Sequence, residues 1–201
     1  MKKNISKILT IVCFLFLSKG ISQNKNATLY FKNGTTLVGL AKITKFNEVK
    51  FRKSKGSKKS KFNSKTISRI IIQERTNNIE YVYRTIKDRN HPILIEPIEK
   101  GEITIYKENQ VNYNGSMSVI LYISKGNGNM AFKLGVVPYK DFSIFDKKYR
   151  PEYNPRAKRM LKTILNEVKD CSELMKKIES KEFKKKGLLD IAKYYNKNCG
   201  A

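Results

Sequence analysis

The stretch Thr28–Thr44, TLYFKNGTTLVGLAKIT, decides the fold. Thr28–Lys32 alternates, with Leu29 and Phe31 on one face and Tyr30 on the other, as a half-buried strand does. Asn33-Gly34 supplies the residue types of a type I′ turn, whose two central positions want φ > 0. Thr36–Thr44 returns as a second strand, and Gly39 inside it points to a bulge or a close backbone approach.

The same pattern continues downstream. Glu48–Arg52 reads as a third strand, and Thr66–Gln73 and Glu80–Ile86 as a pair parted by Asn77-Asn78. Pro92–Ile98 and Ile103–Tyr106 turn at Lys100-Gly101, and Ser118–Ile123 and Met130–Val137 form a hairpin around Gly126-Asn-Gly-Asn129. These runs are rich in β-branched and aromatic residues and bounded by turn signals. The expectation is an antiparallel meander, flat or curled into a small barrel.

After Val137 the hydrophobic period changes. Tyr139–Tyr149 is ambiguous between a short helix and a loop. Asn154-Pro155 is a helix start, a capping side chain with proline at the first helical position. Ala157, Leu161, Ile164, Leu165 and Val168 then mark one helical face. Asp170 and Glu173 have capping-box spacing for a second helix carrying Leu174 and Ile178. Leu188, Ile191, Ala192 and Tyr195 give Gly187–Lys197 as a third. The fold class is therefore α+β: a β-rich body over 23–138 with a helical segment over 139–201 packed on it.

Residues 1–22 read differently. Ile8–Leu17 (ILTIVCFLFL) is an apolar run behind Lys2, Lys3 and Lys7, and small residues follow at Gly20 and Ser22. That is the order of a secretory signal peptide, too short to span a bilayer, with cleavage expected after Ser22, or after Gly20 as second choice. Cleavage leaves 179 residues and lowers the net charge from +25 to +21. The expected compartments are the periplasm, the cell surface or the extracellular medium. The available polyanions there are anionic lipid head groups, lipopolysaccharide, acidic polysaccharide and stray DNA.

Export also bears on the cysteines. Cys13 leaves with the leader, and Cys171 and Cys199 remain as an even pair in an oxidising compartment, which favours a disulfide over two free thiols. In an antiparallel helix pair these positions meet at the open end.

Between the third and fourth expected strands, Arg52–Lys61 (RKSKGSKKSK) holds Arg52, Lys53, Lys55, Lys58, Lys59 and Lys61 with neither an acid nor an apolar residue. Nothing in it offsets the entropy of ordering the backbone, so a mobile cationic hairpin loop is expected. Such a tract suits polyanions, but it lacks the interleaved aromatics that stack on bases.

Other chemistry finds little support. Gly126-Asn-Gly-Asn-Met-Ala131 fits G-x-G-x-x-A, yet Gly135 and Pro138 oppose the helix a dinucleotide site requires. His91, the single histidine, lies in a turn-like Arg89-Asn-His-Pro92 and has no nucleophile or metal motif around it. Glu96, Glu99 and Glu102 cluster in sequence and are the candidates for a carboxylate-dependent hydrolase of envelope polymers, the alternative to a non-enzymatic role. Lys and Arg recur along the strands, against the lipid-facing surface of an outer-membrane barrel. No catalytic residue, cofactor or metal ligand is assigned, and the expected role is a non-enzymatic interaction or accessory module of the cell envelope that acts on a protein or a polyanionic partner, without specific nucleic-acid recognition.

Four motifs carry a resemblance: Tyr30-Phe-Lys-Asn-Gly34 followed by Gly39, Gly101-Glu-Ile-Thr-Ile-Tyr106, Asp170-Cys-Ser-Glu-Leu174, and Tyr194-Tyr-Asn-Lys-Asn-Cys199. The set resembles a group of uncharacterised exported bacterial proteins with Y-F-K-[DN]-G, G-x-[IV]-x-[IL]-Y and D-C-x-x-L…Y-Y-N-x-x-C. In that group proline usually follows the first tail cysteine, where this chain has Ser172. The resemblance implies a β-rich body with a cysteine-stapled helical tail and carries no chemistry.

Overall fold

The computed structural model describes residues 24–75, 77–126, 128–142, 155–183 and 187–200. The expected leader, with Cys13, lies outside them. Ten strands come first: β1 Lys25–Phe31, β2 Thr36–Ile43, β3 Val49–Arg52, β4 Ser60–Phe62, β5 Ile67–Glu74, β6 Asn77–Ile86, β7 Ile93–Glu99, β8 Ile103–Val111, β9 Met117–Lys125 and β10 Met130–Pro138. The helices follow: α1 Tyr139–Phe142, α2 Pro155–Val168, α3 Ser172–Glu179 and α4 Leu188–Asn198. The architecture is α+β, a ten-stranded mixed sheet with a helical C-terminal part.

Strand order is β10-β9-β8-β7-β6-β5-β1-β2-β3-β4, with one added pairing between β10 and β6. Every other neighbour is antiparallel, but β10 joins β6 in parallel through Met130↔Thr85 and Ala131↔Ile86. The register of β5 with β6 runs only to Arg69↔Val82, so β10 takes a part of β6 that β5 has left. This pairing closes β6–β10 into a ring, while β1–β5 continue as an open sheet.

Three clusters of buried side chains follow from that topology. Ile86, Ile93, Ile95, Tyr106, Ile120, Tyr122 and Ala131 pack together on strands of the ring. Ile103, Ile105, Val119, Leu121 and Ile123, from the opposite faces of β8 and β9, pack against Ala157, Met160, Ile164, Leu174, Ile191 and Tyr195 of the helices. Strand β9 is thus covered on both faces, which is why Val119–Ile123 reads as an unbroken apolar run. The open sheet has its own cluster, centred on Leu29, Ala41, Val49, Phe51, Ile67 and Ile70.

Several local expectations are corrected. The β1–β2 turn is not type I′, because of Asn33-Gly34 only Gly34 takes a positive φ, at 85°. Phe31 N–H donates to Thr35 O and Gly34 N–H to Phe31 O, a three-residue connection with glycine at its left-handed position. Asn33 contributes through its side chain, whose Oδ1 accepts from Thr35 N–H at 3.1 Å. Asn77-Asn78 is not a turn. Both residues lie in β6, paired with Glu74 and Gln73, and the chain reverses at Arg75, where φ is 42°. Asp170 is not the cap of the second helix, since α3 begins at Ser172 with Cys171 in the cap position. Pro155 does open α2, whereas Asn154 and the later part of Tyr139–Tyr149 lie outside the described residues.

The tail is locked to the sheet by the motif residues. Asn196 on α4 uses its side-chain amide as a strand would: Oδ1 accepts from Ile103 N–H at 2.8 Å, and Nδ2 donates to Ile103 O at 2.8 Å. A Cβ on Gly101 would stand 2.3 Å from Asn196 Cγ, so only glycine leaves room for this contact. Cys171 and Cys199 lie at disulfide distance, with Cα atoms 5.8 Å apart, at the start of α3 and just past the end of α4. Replacing Asn196 with Ala leaves both Ile103 backbone groups without their partner beside a buried core. The expected loss is about 2–3 kcal/mol of stability, read as a lower urea midpoint with unchanged slope.

Asp170 adds an electrostatic tie. Its Oδ2 accepts from Lys125 Nζ at 2.7 Å and from the Tyr195 hydroxyl at 2.9 Å. The Lys125 hydrogen bond, with help from Tyr195, holds the Asp170 carboxyl below the usual carboxylate range. A depressed folded-state pKa stabilises above the unfolded value of about 3.9 and stops doing so as pH falls through the folded value. The expected result is that Asp170→Asn flattens the acid limb of stability against pH below about 4 and leaves its shape near neutrality unchanged.

Candidate anion-binding face

Strands β2, β3 and β4 bring lysines into line. In the β2–β3 register Lys42 stands opposite Lys50, and in the β3–β4 register Lys50 stands opposite Lys61. All three are exposed, on the face opposite Ala41, Val49 and Phe51. Neighbouring strands lie about 4.8 Å apart, so three ammonium stems form a row across the sheet. Arg52, two residues along β3 from Lys50 and on the same face, faces Leu40 of β2. Lys59, just before β4, is also exposed.

Like charges directly opposite each other on a sheet oppose pairing. Among the described residues no ion pair relieves these: the acids engage other cations, as in Lys25–Glu74, Arg69–Glu80, Arg89–Glu108, Lys107–Glu96 and Lys125–Asp170. From Lys42 to Lys65 the chain carries ten cations and one acid, Glu48. An open concavity of about 780 Å³ runs along this end of the sheet, and Lys42, Lys45, Lys50, Arg52, Lys59 and Lys61 all line it. The Arg52 Nε is buried and has no hydrogen-bond partner among the described residues.

The expected ten-residue loop is therefore divided. Arg52 belongs to β3, Ser60 and Lys61 belong to β4, and the connection runs over residues 53–59, with Gly56 at φ 95° and a Ser54–Ser57 hydroxyl contact. Arg52, Lys59 and Lys61 line the concavity, whereas Lys53, Lys55 and Lys58 do not. Reading the sequence missed Lys42, Lys45 and Lys50. Their signal was the spacing of Lys42, Lys50 and Lys61 at the polar positions of three alternating strands, and it needed the register to become visible.

Gly39 lets β3 sit close. A Cβ there would stand 2.5 Å from Arg52 O and 2.6 Å from Phe51 Cζ, so the second motif glycine serves the approach of the strand that carries the cations.

The other candidates disperse. Glu96 pairs with Lys107 at 2.9 Å and lines a 260 Å³ cleft with Glu108. Glu108 is itself held by both Arg89 nitrogens and by the Tyr122 hydroxyl at 2.6 Å. Glu99 and Glu102 lie at the other end of β7, beside Asn196 and Gly200. In the same cleft, burial pushes the Tyr81 hydroxyl up to about 12, reinforced by Glu96 and Glu74. His91 is exposed in the β6–β7 loop. Gly126 sits in the β9–β10 hairpin at φ 69°, and strand β10 follows it where a dinucleotide site needs a helix. No three His, Cys, Asp or Glu side chains converge as metal ligands among the described residues.

No family model, curated protein or solved structure matches the chain.

Proposed function

We propose that this protein is an exported, non-enzymatic component of the cell envelope that binds polyanions on the β2–β4 face. One observation carries the reading: Lys42, Lys50 and Lys61 are aligned across three strands without an ion pair among the described residues, beside a concavity that Lys45, Arg52 and Lys59 also line against a single acid, Glu48. An anionic polymer laid across the strands removes the mutual repulsion of the row and releases its own counterions, which gives affinity without base or sugar readout. The leader-like Ile8–Leu17 segment and the Cys171–Cys199 pair support placement outside the cytoplasm.

Binding to immobilised heparin, a sulfated polysaccharide, tests the reading. Retention is expected at low ionic strength, with the logarithm of affinity falling linearly with the logarithm of salt and a slope set by the number of ammonium contacts. A protein that flows through at low salt contradicts it.

A further inference from the structure

Exposed apolar side chains gather at the cationic end of the molecule. Phe46, at the tip of the β2–β3 turn, is 73 % exposed and lines the same concavity as the lysine row. The Lys45 ammonium stands 5.0 Å from its ring centre. The smaller cleft is walled by Thr44, Lys45 and Asn47 on one side and by Lys107, Glu108 and Asn109 of β8 on the other. The β2–β3 turn therefore lies beside β8 just before that strand enters its hairpin with β9. The hairpin carries a second apolar tip. Val111 is 68 % exposed and faces Met117, 43 % exposed, while Tyr113 between them is fully exposed.

We propose that the anion recognised by the β2–β4 face is the headgroup layer of an anionic lipid surface. In this arrangement Phe46 and Tyr113 enter the interfacial region while Lys42, Lys45, Lys50 and Lys61 meet the phosphates. The proposal rests on the polyanion reading above and adds its apolar half. A soluble acidic polysaccharide satisfies the lysines and gives Phe46 and Tyr113 nothing to bury against. A bilayer interface does both, because aromatic rings settle at headgroup level and basic side chains are drawn to the negative surface. Attachment is peripheral, since no helix among the described residues is long and apolar enough to cross a membrane.

Sedimentation with phosphatidylcholine vesicles, and with vesicles of equal parts phosphatidylcholine and phosphatidylglycerol, tests this beside the heparin column. The purified protein is expected to bind the anionic vesicles alone. Exchanging both Phe46 and Tyr113 for Ser is expected to weaken that binding about tenfold or more, and Tyr113→Ser alone, at a residue outside the concavity, is expected to weaken it while heparin retention is unchanged; both residues are exposed enough for the fold to survive. Vesicle binding untouched by these exchanges overturns the proposal. Heparin retention without vesicle binding also overturns it and leaves the polyanion reading standing. Loss of both in the wild-type protein removes the two together.

Discussion

Neutralising the lysine row is expected to cost far more polyanion affinity than neutralising the loop beyond it. Lys42, Lys50 and Lys61 changed to Gln, and Lys53, Lys55 and Lys58 changed to Gln, remove the same charge from strands β2–β4 and from the loop between β3 and β4. A response to net charge alone makes the two variants equal. The row places its ammonium groups on one face, where a single anion chain meets them together, while the loop lysines do not line the concavity. At roughly 0.5–1 kcal/mol for each exposed charge contact, the row variant loses about ten- to a hundredfold in affinity at low salt. Its salt slope shrinks by roughly one for each contact removed, and the loop variant stays near wild type. Equal losses in the two variants show that the face has no special role. The row variant is also expected to be no less stable than wild type, because it removes like charges that face one another across the strands.

The second large effect belongs to the tail. Cys171 and Cys199 are separated by 28 residues, and closing a loop of that length is worth roughly 3–4 kcal/mol in the chain-entropy account. Exchanging both cysteines for Ser, or reducing the wild-type protein, is expected to lower the urea midpoint by about 1.5–2 M, taking a slope of about 2 kcal/mol per molar. The two routes should coincide, and reductant should then have no further effect on the variant. Identical midpoints with and without reductant in the wild-type protein show that the bond does not form in solution. The same loss should leave heparin retention intact, because the cationic face is built on β2–β4 while the staple holds α3 to α4.

The motif residues explain how much of this was open to reading. Leu174, Tyr195 and Asn196 could be placed on expected helices, with Asp170 and Cys171 at the start of one and Cys199 just past the end of the other. The ties of Asp170 and Asn196 reach Lys125, Ile103 and Gly101, between 45 and 95 residues away. The hairpin at Lys100-Gly101 and the break at Pro155 came through because turn chemistry and helix starts are local. Ser60–Phe62 did not, since three residues are too few to show an alternation. Asn77-Asn78 misled because asparagine favours turns only when its neighbours leave the ladder, and here Glu74 and Gln73 stay in it.

By itself, the amino-acid order determined the succession of strands then helices, the cationic character of residues 42–65, and the two positions a disulfide could join. The tertiary structure decided that β10 closes on β6, that Asn196 completes the backbone of Ile103, and that Lys42, Lys50 and Lys61 stand abreast. The physical reason is register. A one-residue slip between two strands turns every side chain to the other face, so the face a lysine shares with its neighbours is set by hydrogen bonds between distant segments.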